Sequence, residues 1–437
     1  MKELIQRIEA RTAIIGIIGL GYAGLPLVVR FGEERFRVLG FDIDPQKVDL
    51  LNKGKTYLQS VSREQIGDLV GNGVFSATSD FSRLSEVDSI LICVPTPLTE
   101  KMEPDLIYIE NTAHQVAENM KKGQLIILES TTYPGTTEEV LLPKFRSRGW
   151  REGVDFFLAY SPEREDPGNR EYTTKSIPKV VGGITRNCQR AAKALYQKII
   201  DEVVTVSTTR AAEMTKLLEN IYRSVNIALV NELKILADRM GIDIWEVIEA
   251  ASTKPFGYFP FYPGPGMGGH CIPIDPFYLS WKAREFDFTT RFIQLSGEIN
   301  VSMPYHVVSK AVDALNARKK SVKGANILIL GVAYKRDIDD IRESPALAIM
   351  KLLQDKGVKM AYNDPHVPKL RPTRKYNFTM SSKPLTEELL REMDLVMIIT
   401  DHTQYDYQWI VNNASLVVDT RNATKGIRSA RAKIIKA

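Results

Sequence analysis

The sequence predicts an α/β protein: two doubly wound parallel sheets joined by a long central helix and a helical middle segment. Three observations carry this reading. A β-branched run, Ile14–Ile18, passes directly into a glycine turn and an apolar helical stretch. Strand-like segments near the C-terminus echo those of the first third. Between them, residues 179 to 254 contain no proline. A chain of 437 residues is also too long for one compact core and suits two or three domains.

With 44% hydrophobic and 25% charged residues, the composition is that of an ordinary globular protein. The excess of Lys plus Arg (58) over Asp plus Glu (53) is spread along the chain. It favours anionic ligands at most, and no nucleic-acid-binding arm is present. Three cysteines, Cys93, Cys188 and Cys271, cannot build a disulfide framework and fit a reducing cytoplasm. Residues 12–29 carry no charge, but Gly16, Gly19, Gly21, Gly24 and Pro26 would cripple a membrane-spanning helix. The mixed-charge residues 1–11 make a poor signal peptide, so no membrane partner is expected.

That glycine-studded stretch reads instead as a nucleotide-binding unit. Gly19-Leu-Gly21-Tyr-Ala-Gly24 follows the first strand at once, and residues 25–30 have helical character, with Pro26 tolerated in a first turn. Strand, glycine turn and helix form the context in which GxGxxG carries meaning. The first glycine allows the tight turn and the second lets a pyrophosphate approach the backbone. The third lets helix and strand pack closely, and the helix N-terminus supplies partial positive charge. A second strand, Arg37–Phe41, ends in Asp42, twenty-three residues after Gly19. An acid there hydrogen-bonds the ribose hydroxyls and repels a 2′-phosphate, which favours NAD over NADP. The first domain is therefore expected to be Rossmann-like. Gly54-Lys55-Thr56 falls short of a P-loop because position 49 is Asp rather than Gly. Further strands, residues 89–94 and Leu125–Leu128, end in Pro95-Thr96-Pro97 and Glu129-Ser130-Thr131-Thr132. Hydroxyl residues at strand C-termini lie where such sheets bind ligands, although caps and turns use the same residues.

The chain repeats the pattern near its end. Asn326–Leu330 is followed by Gly331, and residues 359–362 by Asn363-Asp364-Pro365. Residues 394–400 echo 88–94, and residues 416–420 echo 126–130. This second Rossmann-like sheet lacks the full glycine fingerprint, so it binds a different nucleotide or only braces the fold. Residues 208–240 have helical spacing through Met214, Leu217, Leu218, Ile221 and Val225. A helix of that length is on the order of 50 Å long and can separate the sheets or pair with a second subunit. Glu213, Lys216 and Asn220 share one of its faces; such a face is ordinarily solvated, so it needs a second observation. The expected domains are 1–205, 206–318 and 319–437.

The second observation is Phe261-Tyr-Pro-Gly-Pro-Gly-Met-Gly-Gly-His-Cys271-Ile-Pro-Ile-Asp275. Its glycines and prolines make a backbone-rich loop ending on a cysteine, unlike the regular apolar run that holds Cys93. A thiolate there can attack an aldehyde to give a thiohemiacetal. A second hydride transfer then yields a thioester, which water hydrolyses. A nearby cation such as Lys216 favours the thiolate. Zinc is the competing reading of His270-Cys271, but no second His/Cys pair exists and the five histidines are scattered, so no metal is expected. Neither GxSxG nor HExxH occurs.

The glycine fingerprint, Val94-Pro-Thr96-Pro, Ser130-Thr131, Ser161-Pro-Glu163-Arg164, Lys216 with Asn220, Gly268-Gly-His-Cys271 with Asp275, and Lys335 with Arg342-Glu-Ser-Pro345 follow one another in a familiar order. In this the sequence resembles the UDP-glucose/GDP-mannose dehydrogenase family, from about residue 11 to 423. The fingerprint is generic, whereas the cysteine loop and the Arg342 segment are specific. The resemblance implies oxidation of a UDP-sugar C6 hydroxymethyl to a carboxylate, consuming two NAD. Residues 253–279 look most like the branch acting on UDP-N-acetylglucosamine, with the UDP-N-acetylmannosamine branch a close relative. The product would supply surface polysaccharide.

The resemblance further implies Cys271 as nucleophile, Lys216 and Asn220 steadying the developing oxyanion, and Glu163 as acid/base. Thr131 and Asp275 would position water and the thiol. The cofactor would meet Gly19, Leu20, Gly21, Tyr22, Ala23, Gly24, Asp42, Lys47, Val94, Thr96, Thr131 and Arg342. The nucleotide sugar would meet Glu163, Arg164, Lys216, Asn220, Tyr262, Gly264, Gly266 and Gly268, with Lys335 and Arg421 on its diphosphate. The C-terminal sheet becomes the UDP-binding domain, and the long helix pairs subunits in a homodimer or larger assembly. Two positions depart from the glucose-oxidising branch. Pro167 stands where that branch has a second glutamate, with Glu165 and Asp166 out of register, which disfavours UDP-glucose. His270 replaces a smaller residue and either favours the thiolate or serves as a spacer. The alternative of another class is a non-catalytic nucleotide-sugar sensor. The joint presence of Lys216, Asn220, Cys271 and Asp275, which binding alone does not require, speaks against it.

Overall fold

The structure, a computed structural model, describes all 437 residues except 59–60, 100, 102, 165–171, 270–273, 374 and 429–432. The described residues pack into two compact units. One comprises Met1–Glu219 with Phe277–Thr289, the other Asn220–Pro276 with Thr290–Ala437.

The first unit is built on eight strands: β1 (Ile14–Ile18), β2 (Arg37–Phe41), β3 (Phe75–Thr78), β4 (Ser89–Ile92), β5 (Leu125–Leu128), β6 (Phe157–Tyr160), β7 (Lys179–Gly183) and β8 (Val203–Thr205). Their order is β3-β2-β1-β4-β5-β6-β7-β8, with β1 to β6 parallel and β7 antiparallel to β6. The inner strands are aliphatic runs because both faces of the sheet are covered. Ile15, Ile17 and Ile127 enter a core with the helix Gly24–Glu33, while Ile90, Ile92 and Ile126 enter another with the helix Ile107–Asn119. Strand order reverses between β1 and β4, and doubly wound sheets bind ligands at the carboxyl ends flanking such a reversal. Residues 12–29 are thus β1, the glycine turn and the start of a helix. Among the described residues no helix is long and apolar enough to cross a membrane.

The proline-free stretch is not helical from its start. It begins with β7, the helix Arg186–Tyr196 and β8, and the β-branched Val-Val pairs of the two strands extend the first sheet. The helix Thr209–Met240 follows with 32 residues, about 48 Å at the α-helical rise. It gives its first turns, through Glu219, to the first unit and the rest to the second.

The second unit carries β9 (Asn326–Leu330), β10 (Lys359–Asn363), the short antiparallel pair β11 (Lys369–Leu370) and β12 (Met380–Ser381), β13 (Leu395–Ile398), β14 (Leu416–Asp419) and β15 (Lys433–Lys436). The parallel sheet runs β10-β9-β13-β14-β15. It is doubly wound, as the sequence predicts, but in the 2-1-3-4-5 order rather than the 3-2-1-4-5-6 order of the first unit. The sequence echo has a hydrogen-bonding basis. Asp88 accepts the amide of Ile14 at the entry of β1, and Asp394 accepts that of Asn326 at the entry of β9, both at 2.8 Å.

Candidate active site

The three fingerprint glycines meet three different surroundings. Gly19 has φ +90°, and a Cβ there would lie 2.5 Å from the Cys93 carbonyl oxygen, so the turn admits only glycine. A Cβ on Gly24 would lie 1.9 Å from the Gly19 oxygen and 3.2 Å from Ile17 Cγ2, so the helix packs against the strand without a side chain between them. A Cβ on Gly21 would meet nothing within 4 Å. That glycine faces open space, so its backbone is open to close approach. Asp42 holds the turn in place: its Oδ2 accepts the Leu20 amide (3.1 Å) and its Oδ1 the Asp44 amide (3.0 Å). Lys47 Nζ lies 3.6 Å from Asp42, and the Tyr57 hydroxyl donates to the Leu20 carbonyl. The Leu20 side chain is fully buried and that of Tyr22 half-buried, so the turn offers chiefly backbone to a ligand. Ile43, just after Asp42, is exposed.

At the carboxyl ends of β4 and β5, Thr96 is buried, Val94 and Thr131 are half-buried, and the Ser130 hydroxyl donates to the Val94 carbonyl at 2.8 Å. Lys216 is not solvated: it is buried, and its Nζ lies 3.7 Å from Glu163. Arg164 is spent within the first unit, donating to the Pro178 carbonyl (2.6 Å) and pairing with Glu219 (2.7 Å). Beneath the strand ends a buried cluster has no sequence signal. Glu129 accepts from Lys179 Nζ at 2.5 Å and from the Tyr196 hydroxyl, partners fifty or more positions away. Burial, with Glu129 beside it, raises the Tyr196 phenol well above its ordinary pKa.

In the second unit, Asn220 Nδ2 donates to Asp275 Oδ2 at 2.5 Å, both residues buried. Cys271 and His270 lie outside the described residues, as do Glu165, Asp166 and Pro167. The glycines preceding the cysteine are explained by the protein itself. Gly264 packs on Arg421, where a Cβ would sit 2.6 Å from Nη1, and Gly266 packs on Pro304 and Pro345. A Cβ on Gly268 would lie 2.5 Å from Tyr334 Cβ. The Gly264 amide donates to Asn231 (3.0 Å), which donates to Asn300 (2.9 Å), so a buried amide pair anchors this strap to both long helices of the unit. Tyr262 is half-exposed and stacks on Trp245 at 5.8 Å.

Arg421 donates through Nε to the Ile399 carbonyl at 3.1 Å, and among the described residues no carboxylate forms an ion pair with it. Desolvation, reinforced by Arg336, pushes its pKa down to about 10. A desolvated guanidinium is costly to the fold unless a counter-charge meets it. Lys335 is half-buried on the loop after β9. Arg342 forks onto Asp340 at 2.6 to 3.0 Å.

Residues 13–200 match the NAD binding domain of the UDP-glucose/GDP-mannose dehydrogenase family, 210–302 its central domain and 328–426 its UDP binding domain. The chain belongs to that family. A UDP-N-acetyl-D-glucosamine 6-dehydrogenase of Pseudomonas aeruginosa is 36% identical over 85% of this chain and 87% of its own length. The structure of a UDP-N-acetylmannosamine dehydrogenase from Pyrococcus horikoshii superposes with a TM-score of 0.87 at 31% identity, covering 97% of this chain and 98% of that one. Cap5O of Staphylococcus aureus, a UDP-N-acetylmannosamine dehydrogenase, gives 0.84 at 30% with the same coverage.

As a member of the UDP-glucose/GDP-mannose dehydrogenase family the protein is an NAD-dependent oxidoreductase, and its second doubly wound sheet is the UDP-binding domain rather than a brace. The structure shows why that sheet is not a second dinucleotide site. Asp364 ends β10 as Asp42 ends β2, but it is fully committed. Its Oδ2 accepts from Val332 and Ala333 amides and His402 Nε2, and its Oδ1 from the His366 and Val367 amides. Nothing remains for a ribose diol. Asp337, His366 and His402 lie close enough together to suggest a metal, but His402 Nδ1 already accepts the Asp337 amide and Nε2 faces Asp364. It has no lone pair to give.

Proposed function

We propose that the protein oxidises the C6 hydroxymethyl of UDP-N-acetyl-D-mannosamine to the uronic acid, supplying an acidic amino sugar for surface polysaccharide. The observation that carries the chemistry is the polar face of the long helix. Lys216 and Asn220, one turn apart, are both buried, and each is paired with an acid, Glu163 and Asp275 respectively. A solvated helix face needs no such pairing.

NAD, when bound, supplies the hydride acceptor for both oxidations. Gly21 would receive its pyrophosphate and Asp42 its ribose hydroxyls, with Lys47, Val94, Thr96, Thr131 and Arg342 as the further residues that would hold it. Glu163 takes the C6 hydroxyl proton as hydride leaves. The Cys271 thiolate adds to the resulting aldehyde, and Lys216 and Asn220 steady the oxyanion. After the second hydride transfer water cleaves the thioester, releasing carboxylate and free thiol. Arg421 and Lys335 hold the diphosphate, with the strap from Tyr262 to Gly268 along the nucleotide sugar, while Arg164, expected there from the sequence, is engaged by Pro178 and Glu219. Residues 1–205, 206–318 and 319–437 then serve as cofactor domain, helical middle and nucleotide domain.

Residues 253–279 by themselves favour the glucosamine branch. The two solved structures that superpose with TM-scores of 0.87 and 0.84 are both of UDP-N-acetylmannosamine dehydrogenases, and this supports the C2 epimer chosen. The higher identity of the Pseudomonas enzyme, 36%, favours UDP-N-acetylglucosamine as the second reading. Parallel assays with both epimers and UDP-glucose test the choice. Two NADH per sugar and the highest kcat/KM for the mannosamine epimer are expected. A tenfold preference for the glucosamine epimer would restore the second reading, and a preference for UDP-glucose would overturn both.

A homodimer is part of the proposal. Leu229, Leu233, Leu236 and Met240 recur every three or four residues along the long helix and are 40–62% exposed, an apolar stripe that suits a second copy. Sedimentation of Leu229→Glu/Leu236→Glu should show a monomer where the parent protein is dimeric or larger.

A further inference from the structure

Glu213 shares the helix face of Lys216 and Asn220, yet the proposed chemistry has no use for it. It lies three residues before Lys216 and is fully buried within the first unit. Its Oε2 accepts the Gly135 amide at 2.5 Å, and its Oε1 accepts the Thr137 amide at 2.9 Å and hydroxyl at 2.7 Å. These donors close the loop that leaves β5 through Thr131. Immediately beyond, Thr137–Leu141 forms a turn of π-helix, a conformation that concentrates at functional sites.

The charged groups around it are otherwise engaged. Arg210 pairs with Glu138 at 2.6 Å and Glu139 at 3.4 Å, and Lys282 pairs with Glu139 at 2.7 Å and Glu285 at 2.6 Å. Lys216 pairs with Glu163. Among the described residues no cation forms an ion pair with the Glu213 carboxylate, which is balanced by amide and hydroxyl dipoles. Burying a charge on those terms is costly, and an apolar side chain would brace two elements more cheaply. What the carboxylate adds is three directional acceptor contacts to one loop, which fix its position rather than merely its proximity.

We propose that Glu213 is a positioning residue: its carboxylate locks the loop of residues 131–137 to the helix turn that carries Lys216, and so sets Thr131 against Lys216 for the reaction. The inference rests on the roles proposed above for Thr131 and Lys216. Burial raises the Glu213 pKa to about 7 against the pull of its hydrogen bonds and with the help of Glu138. Protonation near neutral pH would turn one acceptor into a donor facing N–H groups, loosening the lock.

Glu213→Gln keeps the shape and sets an amide NH2 against those donors. In the full-length enzyme, assayed with the preferred UDP-sugar and NAD, kcat should fall by at least about tenfold while both KM values stay within about threefold. The rise of kcat through neutral pH expected of the parent protein should flatten in the variant, and the melting temperature at pH 8 should stay within about 5 °C. Thr137→Val removes one of the three contacts and should give a smaller kcat loss with the same KM pattern, which keeps the test open if the first variant fails to fold. Unchanged kcat in either folded variant overturns the proposal, as does a loss that tracks melting temperature or KM. A parent protein inactive on every UDP-sugar would overturn the functional reading and this inference together. An active parent with an indifferent Glu213→Gln overturns this inference alone.

Discussion

The side-chain amide of Asn220 faces Asp275 over 2.5 Å, and the carboxylate, which can only accept, fixes which end of the amide points at it. Asp275 opens the helix Asp275–Ala283, so the contact joins a turn of the long helix to the segment directly after the cysteine loop. In the proposed reaction the second N–H of Asn220, with the nitrogen end so oriented, serves as the donor to the oxyanion.

Asp275→Asn should undo that orientation without removing volume. An amide at position 275 can present its NH2 as well as its oxygen, so it no longer fixes which end of Asn220 points toward the position the oxyanion would occupy. A fall in kcat of about 100-fold or more is expected. Steady-state kinetics alongside circular dichroism would separate this from unfolding. A variant with near-parental kcat would contradict the role given to Asn220.

Gly21 and Gly24 separate cofactor binding from folding. Gly24→Ala must displace backbone 1.9 Å from its new Cβ, and should cost about 1–3 kcal/mol of stability. Gly21→Ala meets nothing in the protein, so the melting temperature should hold while the KM for NAD rises. Thermal unfolding and NAD titration of the two variants check the contrast. Equal effects on both would remove the distinction.

Much of the first unit was legible because its signals are local: β-branched runs, a glycine turn bonded to its own strand, and an acid at the next strand end. The order of the second sheet was not legible, since pairing β9 between β10 and β13 depends on contacts far apart in sequence. The absence of proline is compatible with strands as well as helices, so it does not distinguish β7 and β8 from the long helix that follows. Gly264 to Gly269 show a different limit. A run of glycines signals close approach to something, and here the described neighbours are Arg421, Pro345 and Tyr334 of the chain itself. Likewise, the Lys179–Glu129–Tyr196 cluster joins residues too distant for any pattern to connect.

Arg421 should be worth more to the ligand than to the fold. Arg421→Met removes a desolvated cation that pairs with no carboxylate among the described residues, so stability should be unchanged or higher. UDP, deprived of a charged donor for its diphosphate, should bind at least about tenfold more weakly. Calorimetric titration with UDP and a denaturation curve test both halves. Lost stability with retained UDP affinity would make Arg421 a structural residue.

Glu213 gives a pH dependence whose sign follows from its position. Burial lifts its folded-state pKa from the ordinary 4.5 to about 7. Between those values the folded chain keeps a proton that the unfolded chain has released. Stability contributed by this group is therefore full below about pH 4.5, falls as pH rises toward 7, and is flat above. Glu213→Gln cannot titrate, so its stability relative to the parent protein should improve from pH 5 to pH 8, by of order 3 kcal/mol at most. Denaturation midpoints of both proteins at the two pH values read this directly, since every other titrating group cancels in the difference. A variant that gains relative stability at pH 8 while losing turnover there would mean that the ionised carboxylate is retained at the expense of the fold, for the positioning of the loop it holds. An unchanged difference between pH 5 and pH 8 would mean that the carboxylate is already ionised at pH 5, and would remove the pH limb expected of kcat.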